Sequence, residues 1–404
     1  MRLTHPRALI RSERVPIAAR IVLDVLRRIE RGGLVLKLPD GRALEFGPDA
    51  RTAILHVRNW RVFGAIAAKG DIGFAEAYMD GDWATPDLAA LLTLFAANRD
   101  AIGRAVNGGI VSGALQRVKH LLNANTRRGS QRNIAAHYDL GNDFYALWLD
   151  PSMTYSSALF EGDTRRSLEE AQQAKIRRAL DRIAPQPGDH ILEIGCGWGA
   201  LAEIAAREYG CRVTGITLSG QQLMHAQLRI ARAGLDDRVR FELRDYRDLR
   251  GCYDHIVSIE MIEAVGERYW PAFFATVAGA LAPGGRACLQ AITIDDQRFE
   301  QYRSGTDFIQ QYIFPGGMLP SPSRFRAEAA RQGLAVTGEY AFGRDYAETL
   351  RRWREVFLRR AADARALGHD DRFIRMWDFY LAYCEAGFET LCTNVHQFEL
   401  THAA

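Results

Sequence analysis

The stretch DHILEIGCGWGALAEIAAREYGCRVTGITLS, residues 189–219, decides how the rest of the chain is read. It opens on a short apolar run, Ile191-Leu192-Glu193-Ile194, with the character of a buried strand. That run breaks into Gly195-Cys196-Gly197-Trp198-Gly199 and continues at once as a helical pattern with Leu201, Ile204 and Ala205 on one face. A second apolar run, Cys211 to Leu218, returns as the next strand. Strand, glycine turn, helix and strand form a βαβ unit, whose right-handed crossover puts the glycine turn at the carboxyl edge of a parallel sheet. Glycine is needed there so that a ligand can approach backbone amides with no side chain between.

Two ligand classes use such a turn. A dinucleotide site has the spacing G-x-G-x-x-G, with an acid about twenty residues on for the ribose hydroxyls. Here the spacing is G-x-G-x-G, Glu193 precedes the first glycine, and the second strand ends in Thr217 where an NAD-linked oxidoreductase needs an acid. The pattern E-x-G-x-G-x-G resembles the S-adenosylmethionine (SAM) site of class I methyltransferases.

With 404 residues, the chain predicts two domains. Its 48% hydrophobic and 25% charged residues fit a globular protein, and a net charge of +3 argues for no nucleic-acid partner. Six cysteines (196, 211, 252, 288, 384 and 392) show no metal-ligand spacing, so no metal is expected, and they suit a reducing cytosol. No signal-like apolar segment stands at the N-terminus and no eighteen-residue apolar run exists, so the expectation is a cytoplasmic chain that does not span a membrane.

From Pro16 to Arg31 the residues Ile17, Ile21, Val25, Leu26 and Ile29 predict one apolar helix face. Arg20, Arg27, Arg28 and Arg31 flank it, as on a helix packed on its own domain or touching anionic lipid. Strand-like runs at 34–36 and 53–57, then helical stretches, complete a small α+β domain over 1–110. Residues 111–132 read as a basic linker with Arg117, Lys119, Arg127, Arg128 and Arg132, either solvated or receiving phosphate headgroups. Residues 133–160, rich in aromatic and small residues, could fold over the cofactor as a lid at the start of a domain covering 133–404. Leu168 to Ile183 is an amphipathic helix. Strands and helices then alternate, with Pro283-Gly284-Gly285 closing a helix before a strand at 287–292, which predicts a Rossmann-like, doubly wound, mostly parallel α/β sheet.

The motifs HYDLGNDFYALWLDPSMTYSSALF, EIGCGWG, GITLS, DYRDL, EMIEAVG and YIFPGGMLPS, in this order, resemble the cyclopropane-fatty-acyl-phospholipid synthases and the related mycolic acid cyclopropane synthases. The resemblance runs from about Asn133 to the C-terminus. It implies SAM contacts from Tyr155 and Ser156 of the lid, and from Glu193, Gly195, Cys196, Gly197 and Gly199 at the turn. Thr217, Ser219 and Gln222 would follow the second strand, and Asp245, Tyr246 and Arg247 would flank the adenine. It also implies methyl transfer to cis double bonds of phospholipid acyl chains at the inner face of the membrane, with peripheral membrane contact and pairing as a homodimer.

An alkene is a poor nucleophile, so its methylation needs a dry site that holds the partners close and in line. Aromatic faces can stabilise the positive charge that develops on carbon, and Tyr145, Trp148, Phe160 and Tyr346 are candidates. A base must then remove a proton from the added methyl if a cyclopropane is to close. The resemblance implies a bound bicarbonate for this, held by a lid cysteine, a glutamate, a histidine, an isoleucine and a tyrosine. In this chain those positions read Ser157, Glu263, Gln290, Ile292 and Tyr346. Serine and glutamine still donate hydrogen bonds, but Gln290 carries no proton as a histidine does. The alternatives are methylation without ring closure, with a partner oxidoreductase or without one, and a SAM- and lipid-binding protein that has lost catalysis. Cys384 matches a cysteine once assigned as nucleophile in the family, although alkene methylation requires none.

Overall fold

The structure, a computed structural model, describes residues 15–49, 53–106 and 140–403. The basic residues of the expected linker and the first lid residues, 133–139, lie outside the described residues. Near the N-terminus, helix α1 (Ile17–Leu26) shares an apolar core with a four-stranded sheet of β1 (Leu34–Lys37), β2 (Ala43–Phe46), β3 (Ala53–Val57) and β4 (Trp83–Ala84) in the order β2-β1-β3-β4. Its inward stripe differs from the expected one. Val15, Ala19, Leu23 and Leu26 are buried, and Ile17 and Ile21 face solvent at 74% and 56% exposure. The helix meets the helices Arg61–Met79 and Arg99–Val106, and the stripe through Ala19 is the one turned inward, which leaves the isoleucines outward.

Helices α2 (Arg61–Met79) and α3 (Leu88–Ala97) follow. They pack with the C-terminal helices, so the apolar core runs without a break from α1 through the lid to Phe388. Phe74 stacks on Trp83 at 4.2 Å, and both meet Phe379 edge-on. Tyr78 OH donates to Asp378 at 2.6 Å, which also receives Arg354.

After helix α4 (Leu168–Ile183), capped by a Ser167/Glu170 capping box, the βα alternation begins. It runs through β5 (His190–Ile194), α5 (Ala200–Glu208), β6 (Arg212–Thr217), α6 (Gly220–Ala233), β7 (Val239–Leu243), β8 (Tyr253–Ile259), α7 (Trp270–Ala280), β9 (Leu281–Ile294) and β10 (Leu334–Ala341). Helices α8 (Gly343–Arg359) and α9 (Asp371–Glu389) precede the last strand, β11 (Thr393–His402). The seven strands lie in the order β10-β11-β9-β8-β5-β6-β7. Pairs β5–β6, β5–β8, β6–β7 and β8–β9 are parallel, and β11 is antiparallel to both its neighbours. This is the expected doubly wound, mostly parallel sheet. One boundary differs: Pro283-Gly284-Gly285 lies inside β9, because Leu281 already pairs with Tyr253 and the register shift after it absorbs the turn.

Candidate active site

The glycine turn joins β5 to α5 at the carboxyl edge of the sheet, and its three glycines do three different jobs. All have left-handed backbone, with φ of 84° at Gly195, 49° at Gly197 and 87° at Gly199. A Cβ at Gly195 would stand 2.3 Å from Met261 Cγ, and one at Gly199 would press on Ala226 and Phe241 at 3.1 Å. Among the described residues, a Cβ at Gly197 would meet no atom within 4 Å, so this residue opens onto the cavity in front of the turn.

That cavity is lined by Tyr155 and Ser156 of the lid, Glu193, Gly195, Cys196, Gly197, Thr217, Gln222 and Tyr246, all expected from the sequence. Thr217 Oγ1 donates to Gln222 Oε1 at 2.8 Å, and Ser219 caps α6 through Gln222 N. Gly199 and Ser219 thus shape the wall without lining it. Asp245 and Arg247 pair with each other, Arg247 Nε standing 2.8 Å from Asp245 Oδ1, so of that trio Tyr246 alone borders the cavity.

Glu193, next to the last residue of β5, has its carboxylate buried, and among the described residues Oε2 has no hydrogen-bond partner. Burial pushes its pKa well up, against the pull of Lys175. An unpartnered buried carboxylate oxygen beside open glycine amides and a helix N-terminus suits a ligand with a cationic end and polar groups, which SAM is. The residues present fit that cofactor.

The lid is held by side chains rather than by secondary structure, as an irregular segment must be when its backbone is buried. Gln172 Nε2 donates to Ser156 O, Thr349 Oγ1 accepts from Ala158 N, and Asp345 accepts from Phe160 N and Glu161 N. Trp198 of the glycine turn donates to Asn142 Oδ1 at 2.8 Å. Tyr155 stands among Tyr145, Trp148, Trp353 and Phe314 with ring centroids 5.4–6.5 Å apart, and its hydroxyl meets Tyr380 OH at 2.7 Å. Phe160 is not part of this aromatic wall, because it packs against the Arg352 guanidinium at 4.4 Å.

The residues expected to hold an anion converge, but on a carboxylate that the sequence reading did not single out. Glu260 borders the cavity directly after β8. Its Oε1 accepts from Ser157 N at 2.9 Å and from Gln290 Nε2 at 2.7 Å, and its Oε2 accepts from Tyr346 OH at 2.7 Å. Burial raises its pKa, opposed by Lys175 and by the three donors. Tyr346 is pushed well up by burial and then by Glu260, so it stays a phenol and donates.

The polarity of the Gln290 contact is set from outside. Arg178 can only donate, so Gln397 Oε1 accepts from it at 2.5 Å. Gln397 Nε2 then donates to Gln290 Oε1 at 3.0 Å, which leaves Gln290 Nε2 facing Glu260.

Glu263 lies behind this cluster. Its Oε1 accepts from Ile292 N, its main-chain oxygen accepts from Met318 N at 2.8 Å, and Oε2 has no partner. Burial, then the charge on Glu260, pushes its pKa up to about 8. Glu263 and Ile292 therefore meet each other and not Ser157, Gln290 or Tyr346. Cys384 sits in the core beside the aromatic wall, outside the cavity lining, with burial pushing its thiol pKa up.

Lys175 was also missed. Its Nζ is buried, donates to Ser156 Oγ at 2.5 Å, and faces Glu193, Glu260 and Asp150, with burial lowering its pKa to about 8. The signal was present: a lone lysine on the inward face of α4, among Ala171, Ile176 and Ala179. For Glu260 it was an acid at the carboxyl end of a parallel strand, where ligands bind in such sheets.

A profile of the family described as mycolic acid cyclopropane synthetase matches residues 125–398, nearly all of this site. The chain belongs to the cyclopropane synthase family. It is 38% identical to the tuberculostearic acid methyltransferase of Mycobacterium tuberculosis over 98% of this chain and 97% of that one. It is 35% identical to the cyclopropane-fatty-acyl-phospholipid synthase of Escherichia coli over 83% and 84%. Among solved structures, mycolic acid cyclopropane synthase CmaA1 complexed with SAH and CTAB superposes with a TM-score of 0.63 at 35% identity, covering 67% of this chain and 97% of that one. Members of the family are SAM-dependent enzymes of lipid methyl transfer. Among the described residues, no helix is long and apolar enough to cross a membrane.

Proposed function

We propose that this chain methylates cis double bonds in the acyl chains of membrane phospholipids, forming cyclopropane fatty acids. The observation that carries the reading is the junction at Glu260, where a glycine-turn cavity fit for SAM meets a buried aromatic wall across a single hydrogen-bonded carboxylate. Bound SAM supplies an electrophilic methyl group on a sulfonium. The chain's own residues do the rest: Glu193 and the glycine turn orient the donor, and Tyr155 and the lid keep water out. Tyr145, Trp148 and Tyr346 offer aromatic faces to positive charge on the acyl chain. The family match, with one relative named a cyclopropane-fatty-acyl-phospholipid synthase, supports this substrate class.

Methylation without ring closure is a second reading. It is favoured by Gln290, locked as a hydrogen-bond donor where the resemblance implies a histidine, and by a relative named simply a methyltransferase. Peripheral contact with the inner face of the membrane belongs to both readings. So does α1, which turns Ile17 and Ile21 outward near Arg27 and Arg28.

The test uses the full chain, SAM and liposomes of cis-monounsaturated phospholipid, with mass spectrometry of the released acyl chains. A gain of one CH2 with no double bond left is the expected result. A gain of one CH2 with the double bond kept supports the second reading, and no gain overturns both.

A further inference from the structure

Bicarbonate does not fit the place that the resemblance gives it. Three of the groups that would hold the ion, at Ser157, Gln290 and Tyr346, already direct their hydrogens at one carboxylate of the chain. A carboxylate and a bicarbonate present the same planar pair of oxygens and the same charge, so one set of donors serves either but not both. The relay from Arg178 through Gln397 points Gln290 at Glu260 as a donor, the polarity an anion requires.

The backbone gives a second, independent sign. Glu260 has φ 52°, in the left-handed region that costs a side-chain-bearing residue about 1–3 kcal/mol. Its amide is held by Gln290 O at 2.8 Å, so the turn is set by β9 whatever residue stands there. Glycine would adopt this conformation without cost, and a glutamate held in it is there for its carboxylate. Lys175 faces the same carboxylate and offsets its charge.

We propose that Glu260 is a built-in carboxylate that replaces the bound bicarbonate and accepts the proton released after methyl transfer, so that turnover needs no bicarbonate. This rests on the methyl-transfer reading above. Addition of a methyl group to one alkene carbon, with the C–S electron pair staying on sulfur, leaves the neighbouring carbon electron-deficient. A C–H bond of the new methyl then breaks. Its electron pair forms the third ring bond, and its proton goes to a Glu260 oxygen. If a hydride first moves from the methylated carbon to its electron-deficient neighbour, the same C–H pair forms the double bond of an open-chain methylene group and the proton goes to the same oxygen. Either product requires this base.

The experiment compares the full chain with Glu260→Gly, which relieves the left-handed backbone, and with the size-matched Glu260→Gln. All are assayed in sealed, carbon-dioxide-stripped buffer with and without sodium bicarbonate. The wild-type rate should change by less than about twofold on bicarbonate removal. Glu260→Gly should fall by about 100-fold or more and recover on bicarbonate addition, while Glu260→Gln should stay inactive. SAM affinity by calorimetry should change little in any variant. Binding of 13C-bicarbonate, followed by NMR line broadening, gives a readout without turnover: none to the wild type, and binding to Glu260→Gly. A bicarbonate requirement or bicarbonate binding in the wild type overturns the proposal, as does full activity of Glu260→Gly without bicarbonate. If the wild type methylates no lipid yet the NMR pattern holds, the methyl-transfer reading fails and the replacement of bicarbonate stands.

Discussion

Around Glu260 the chain gathers donors from three separate segments, the lid at Ser157, β9 at Gln290 and α8 at Tyr346, with Lys175 of α4 nearby. The pocket around Glu263, three residues further on, offers one side-chain contact, the amide of Ile292, and leaves an oxygen unpartnered. Both carboxyls are buried, so burial alone cannot separate them; the donors do. Burial raises the pKa of both; at Glu260 Lys175 and the three donors oppose that rise, while Glu263, with one amide, is pushed up to about 8 by burial and then by Glu260.

The sharpest way to break this comparison is to neutralise each carboxyl in turn. Glu260→Gln should lower the rate of acyl methylation by about 10²–10⁴-fold with SAM affinity little changed, as removal of a general base does. Equal losses in Glu260→Gln and Glu263→Gln would abolish the distinction drawn here.

Glu263→Gln should act on stability instead. Because the folded pKa of Glu263 is raised from 4.5 to about 8, the stability it contributes is complete below pH 4.5 and is lost as pH rises toward 8. The amide has no proton to lose, so the variant should gain stability above pH 8, by something of the order of a few kcal/mol at most. Urea titrations of both proteins at pH 5, 7 and 8.5 measure it, and parallel pH dependences would refute it.

A smaller effect is expected on the cofactor side. Glu193→Gln removes the carboxyl group beside the glycine turn, and SAM affinity by calorimetry should weaken by roughly 10–100-fold. Tyr346→Phe takes one of three donors from Glu260 and keeps the aromatic face, so the rate should fall by about tenfold. An unchanged rate would mean that the hydroxyl neither orients Glu260 nor stabilises its charge.

The cofactor half of the site was legible because it is contiguous. Strand, glycine turn and helix lie within residues 189–219, and the spacing of Glu193, Gly195, Gly197 and Gly199 follows from what a turn needs when a ligand meets its amides. The anion half was read only as separate residues. Ser157, Gln290, Tyr346 and Glu263 were each found by motif, but Glu260, the carboxylate on which the first three converge, was not singled out. Both glutamates follow the same strand within four residues, and no periodicity separates two acids three residues apart. The face of α1 was misjudged for a related reason: helical spacing allows two apolar stripes, and packing against neighbouring helices selects the one through Ala19.

By itself, then, the sequence determined the parallel sheet, the position of its glycine turn and the family, since each depends on neighbours in the chain and on local backbone geometry. The tertiary structure alone decided which glutamate the donors meet. That choice depends on donors more than a hundred residues apart meeting one oxygen pair at hydrogen-bond distance, and on a left-handed residue held by β9 that turns Glu260 into the cavity.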